Sequence, residues 1–199
     1  MKKSYVVYDL SFWALLLANI YVIYYYLDHP ESLNTVIAIY WLQSVLIGAF
    51  NFLDIITLIN IKQGSFHERN TGKDMGKGCA GFFFLFHYGF FHAIYFVFLS
   101  KDSFGKNQLD WNFVQISFWL LLGSCAIQFI QHKFKQNTKK ANLGVMFFLP
   151  YARIVPMHLF ILIPKFLNIT GAMVFLVLKT IADLVMYWVS KKYSFEEDV

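Results

Sequence analysis

Six ionisable side chains stand inside stretches that are otherwise apolar: His87, His92, Arg153, His158, Lys179 and Asp183. A charge at the centre of a bilayer costs about 2.5–3.5 kcal/mol on insertion scales, so such residues face the interior of a helix bundle and mark a site. Each type offers its own chemistry. Histidine as a residue type can relay protons or ligate a metal. Arg153 keeps its charge and can clamp a carboxylate or phosphate with its planar fork, or hold Asp183. Lys179 and Asp183 are four residues apart, on one helix face, and can pair. His87 and His92 are five apart, about 140° around a helix, and point in different directions. His92 shares a stripe with Tyr88 and Tyr95, and His158 shares one with Tyr151.

Helices must carry these residues. A membrane span needs about 20 mostly apolar residues, and six stretches qualify: 8–27, 34–60, 79–100, 111–130, 143–166 and 168–190. The expected fold is all-α, a single six-helix transmembrane bundle without repeats or a soluble domain. At about 1.5 Å rise per residue, all six ionisable residues fall within roughly 6 Å of the midplane of their spans. One shared polar layer is the economical expectation. The fifth span also carries Pro150, Pro156 and Pro164, three of the four prolines. Each frees a backbone carbonyl one turn back, which is tolerated at membrane depth where the backbone is buried in protein or lines a cavity. Asn19, Gln43, Asn51 and Asp54 add polar groups on the first two spans. Gln43 and Asn51 read as interhelical hydrogen bonders, and Asp54 as a residue of the inner vestibule or of the site.

Composition supports this architecture. The chain has 199 residues, 58% of them apolar, 20% aromatic and only 15% charged, with a mean hydropathy of +0.50. Soluble domains are roughly 45–50% apolar and about 25% charged. Two cysteines, Cys79 and Cys125, exclude a disulfide scaffold and read as small buried hydrophobes. Lysine and arginine are retained on the cytoplasmic side. With the N-terminus inside, twelve of them fall in inner segments and three, Lys101, Lys106 and Lys165, in outer loops. Both termini are therefore expected in the cytoplasm, and the net charge of +5 needs no nucleic acid to explain it. The first apolar run reads as a retained helix rather than a cleaved signal peptide. Gly72 to Lys77 is one residue short of a phosphate loop and lacks its Ser/Thr, and His67-Glu68 lacks a zincin's second histidine. Asn168-Ile169-Thr170 matches a glycosylation sequon but lies in a very short connection at the membrane edge.

His87-Tyr88-Gly89-Phe90-Phe91, Pro150-Tyr151-Ala152-Arg153 with His158, Lys179-Thr180 with Asp183, and Trp41 to Ser44 with Asn51 resemble the signature stretches of a family of bacterial integral membrane proteins of uncharacterised function. The resemblance covers nearly all six spans. It implies the same polar layer, a bacterial inner membrane and a carboxylate where this chain has Gln43. It implies no activity.

Three functions are compatible with these residues. The first is translocation of an ion, proton or small solute, or binding of an anionic ligand, with His87, His92, Arg153, His158, Lys179, Asp183, Tyr88 and Tyr151 as candidates. So small a transporter would be expected to form a homo-oligomer. The second is a haem or transition-metal site on His87, His92, His158 and Asp183. The third is a structural ion network in a membrane scaffold or assembly partner.

Overall fold

The computed structural model describes residues 10–30, 32–64, 76–102, 109–136, 139–152 and 172–196. It is all-helical apart from one two-residue strand pairing. In chain order the elements are α1 (Leu10–Asp28), α2 (Leu33–Ile56), α3 (Lys77–Asp102), α4 (Trp111–Gln136), β1 (Lys140–Ala141), the described helical stretch α5 (Leu143–Ala152), α6 (Ala172–Tyr193) and β2 (Phe195–Glu196). The first four helices are long and apolar enough to cross a membrane. Their outward faces carry Leu17, Phe86, Trp119 and Phe134, while Asn19, Gln43, Lys179 and Asp183 are buried. That pattern is inverted relative to a water-soluble bundle.

Local chemistry sets the helix ends. α1 stops at Asp28 because Pro30 disfavours helix at the residue before it. Asp110 caps α4, its Oδ1 accepting from the Phe113 amide at 3.0 Å, and Asn142 caps α5 through the Val145 amide at 3.1 Å. α2 ends at Ile56 rather than at residue 60, because Asn60 to Lys62 leave the helix to pair with Ala141. α4 runs on to Gln136, past the expected 130, since Gln131, His132 and Lys133 find side-chain partners on α1 and α2.

Contacts at the two ends of the bundle define its topology. The Lys62 amide donates to the Ala141 carbonyl at 2.9 Å, the Ala141 amide to that of Asn60 at 2.8 Å, and the Asn142 amide to that of Ser194 at 2.8 Å. β1 pairs antiparallel with β2 in the register Ala141↔Phe195. The segments that follow α2, α4 and α6 therefore meet at one end. α3 starts there too, with Lys77 Nζ 2.6 Å from the Leu58 carbonyl, and α1 starts beside Gln131 through Ser11. At the opposite end Asp110 joins Tyr25 on α1 to Thr35 on α2. Successive helices thus alternate in direction. The end where α2, α4 and α6 finish holds Lys62, Lys77, Lys133, Lys135, Lys139, Lys140, Lys191 and Lys192.

α2 is the central helix and separates two apolar clusters. Ile55 and Leu58, at the end of α2, pack with Phe84 and Tyr88 of α3 and with Met146 and Phe147 of α5. Val36, Ile39 and Tyr40 of α2 pack with Val22 of α1, Leu121 of α4 and Leu176 of α6.

Candidate functional site

The second of those clusters surrounds the most unusual group in the described protein. Lys179 lies on α6, only 9% exposed, and its ammonium is enclosed by oxygen acceptors from three helices. It meets Asp183 Oδ2 at 2.7 Å and Asn19 Oδ1 at 2.8 Å, and it also donates to Gln43 Oε1. The Tyr40 ring lies beneath it, 4.1 Å from nitrogen to centroid. Gln43 spans the pair: its Nε2 donates to Asp183 Oδ2 at 3.2 Å while its carbonyl accepts from Lys179. Asn19 is fixed in turn by donating from Nδ2 to the Leu15 carbonyl at 2.9 Å. Asn19, Gln43 and Asp183 are each below 5% exposed. Asn19, Gln43 and Asp183 stand at the midpoints of their helices, and Lys179 is about 5 Å along α6 from its own. All three ammonium hydrogens are used, and the ring face covers the remaining side.

The next residue of α2 opens a second network on the facing side. His92 Nδ1 donates to the Tyr88 carbonyl at 2.9 Å, an assignment made from the hydrogen-bond pattern, which leaves Nε2 to accept from Ser44 Oγ at 2.8 Å. The Tyr88 hydroxyl lies 2.8 Å from Ser44 Oγ and donates to the Ser44 carbonyl at 3.0 Å. Trp41 Nε1 donates to the His92 carbonyl at 3.1 Å. Gly48 makes room for the Tyr88 ring, because a Cβ there would stand 2.7 Å from Tyr88 Cδ1. Ser44, Tyr88 and His92 are buried and stacked between α2 and α3, with the Tyr88 and His92 rings 4.3 Å apart.

The described candidates therefore do not converge as one set. His87 is exposed on the outer face of α3, where Nδ1 lies 3.0 Å from the Tyr151 hydroxyl and the ring stacks on Phe83. His92 bonds to α2 through Ser44, and Lys179 with Asp183 bonds to α1 and α2 through Asn19 and Gln43. Adjacent residues of a helix point about 100° apart, so Gln43 and Ser44 carry the two networks to different neighbours at one depth. Among the described residues, no three His, Cys, Asp or Glu side chains come together as a metal site. His92 has both ring nitrogens engaged, so it presents no free lone pair to a haem or metal ion. Arg153, His158, Pro156, Pro164 and the Asn168 sequon lie outside the described residues.

A family model described as a family of unknown function (DUF6498) matches residues 2–197. The chain belongs to the DUF6498 family. No curated protein and no solved structure matches it.

In this DUF6498 chain a third polar group sits where α2 and α4 finish. Asp54 accepts from His132 Nδ1 at 2.8 Å and pairs with Lys133 Nζ at 3.2 Å. Beside it Asn51, Gln128 and Ser190 line a cavity of about 60 Å³. That is room for several waters, since a water needs roughly 10–15 Å³ of such volume. Sequence reasoning placed Asp54 toward this end but did not pair it with His132, although both fall at the same depth on facing helices. It also missed Tyr40 and Ser44. Tyr40 precedes Gln43 by one helical turn, a spacing that puts a ring and an amide on one face, and that was the available signal.

Proposed function

We propose that this DUF6498 protein crosses a bacterial inner membrane six times, with its lysine-rich end in the cytoplasm, and moves a proton or small cation through the Lys179–Asp183 centre. The observation that carries the reading is a buried, fully coordinated ion pair at mid-helix depth. Ionisable groups there are costly, and they mark ion and proton pathways. Asp54, Asn51 and Gln128 line a separate polar cavity nearer the lysine-rich end. Because Asp183 already neutralises Lys179, the site favours exchange of a positive charge over capture of an anion.

The test is flux into proteoliposomes that carry a pH-sensitive dye and a potassium diffusion potential. Wild-type protein should give protein-dependent flux, and the double variant Lys179→Met/Asp183→Asn, which removes both charges together, should give none. A wild-type protein that is folded and silent under proton, sodium, potassium and ammonium gradients removes the transport reading. One observation favours a structural role as the second reading: every ammonium hydrogen of Lys179 is already satisfied within the protein, as in a permanent helix clamp.

A further inference from the structure

We infer that Asp183, Gln43, Asn19 and Tyr40 form a binding site for a monovalent cation, and that the Lys179 ammonium is its built-in occupant. The inference rests on the reading of this centre as an ion site and names the class of ion. Its basis is the shape of the coordination. A buried lysine paired with a carboxylate through one hydrogen still needs acceptors for its other two. Here three oxygens from three helices and one ring face converge on a single nitrogen. Each acceptor is itself fixed by a further bond or by burial: Asn19 to the Leu15 carbonyl, Gln43 to Asp183. The acceptors are thus arranged around a point in space, and the lysine supplies the charge at that point through a flexible four-carbon stem.

Charge and ligand type define what else could sit there. Among the described residues, one carboxylate and two neutral amide oxygens give the cage a single negative charge, which balances a monovalent ion. Magnesium demands near-octahedral oxygen coordination and dehydrates reluctantly, and calcium takes six to eight oxygens, so neither suits three oxygens and a ring. The aromatic face attracts cations electrostatically and recognises ammonium groups in particular. Ammonium and methylammonium fit this description. Choline, with no N–H to donate and a larger head, does not. Lys179 and an incoming cation then compete for one cage. Rotation of the lysine stem vacates it, and return of the lysine expels the ion.

The experiment is chemical rescue. Lys179→Met keeps the length and apolar stem of the side chain and deletes the ammonium. Purified in detergent, it should unfold several degrees below wild type. Ammonium or methylammonium chloride should restore its midpoint saturably, while choline chloride at equal ionic strength should not. Lys179→Met/Asp183→Asn should show no such rescue, and wild type should need at least tenfold more ammonium for any shift. Where Lys179→Met cannot be obtained folded, wild-type protein is treated with a small amine-acetylating reagent and the Lys179 peptide is followed by mass spectrometry. Its modification should rise saturably with ammonium as the lysine is displaced. Equal behaviour in ammonium and choline, in the rescue or in the labelling, overturns the inference. Rescue without flux in proteoliposomes would leave the cation site standing and remove transport. Flux without rescue or cation-dependent labelling would do the reverse.

Discussion

Replacing Asp183 by asparagine removes one charge from the Lys179 pair and leaves the other buried. The gross attraction across 2.7 Å is about 6 kcal/mol at an effective dielectric constant near 20. Much of that only offsets desolvation. Deleting one partner of a buried pair typically costs about 3–5 kcal/mol, because the survivor is uncompensated. Asparagine still offers an oxygen to Lys179, and Asn19 and Gln43 remain, so the expected loss is near the lower end, about 3 kcal/mol. The informative step is the second substitution. Adding Lys179→Met to Asp183→Asn deletes the stranded charge and leaves two amide oxygens without their donor. Interhelical hydrogen bonds in membranes average about 0.6 kcal/mol, so this costs roughly 1 kcal/mol in all. The double variant should therefore be more stable than Asp183→Asn alone, by about 2 kcal/mol. Equilibrium unfolding in mixed micelles, followed by tryptophan fluorescence, measures the three variants against wild type in a closed cycle. If Lys179→Met lowers the stability of Asp183→Asn further, Lys179 is not a buried charge that depends on Asp183, and the reasoning fails.

Two further outcomes follow from the packing and the topology. Gly48→Ala should destabilise by about 1–3 kcal/mol through overpacking against Tyr88, and Tyr88→Leu in the same chain should recover part of that loss in the same unfolding assay. Cys79 is exposed at the lysine-rich start of α3 rather than buried as its apolar run suggests; it should react with an impermeant maleimide in inverted membrane vesicles and not in intact cells, while buried Cys125 should react in neither until the protein is denatured. Labelling of Cys79 from outside intact cells would reverse the proposed orientation.

Much of the fold was legible because length and hydropathy constrain a helix in a membrane more tightly than sequence constrains a soluble fold. Four long apolar helices follow directly from runs such as those around Leu15 and Leu121. The ends were harder to read, since they depend on partners distant in sequence. Asn60 to Lys62 continue an apolar run, but their backbone is claimed by Ala141. Gln131 to Lys133 look like the start of a loop, but Ser11, Asp54 and Thr57 hold them in helix. For the site, the Lys179–Asp183 pair is visible from an i,i+4 spacing on one helix. Its other ligands are not, because Asn19 and Gln43 arrive from helices 160 and 136 residues away. Depth along a span is readable from sequence, whereas rotation about the helix axis has little to mark it when apolar side chains cover every face. The 140° between His87 and His92 is readable because both lie on one helix, whereas the neighbours they meet, Tyr151 for the one and Ser44 for the other, are not.

Rotation also decides the sign of the ion. Counted by type, the intramembrane residues include more potential cations than carboxylates, which favours an anionic ligand. Seen in place, Lys179 is surrounded by oxygens and has no hydrogen left to offer an anion. An anion entering here would have to break the Asp183 pair and then lie against Asp183 itself and two amide oxygens, all of which repel it. A cation would meet the same groups as ligands and need only displace the lysine. The side chain that suggested an anion site is, in the reading proposed above, the occupant of a cation site.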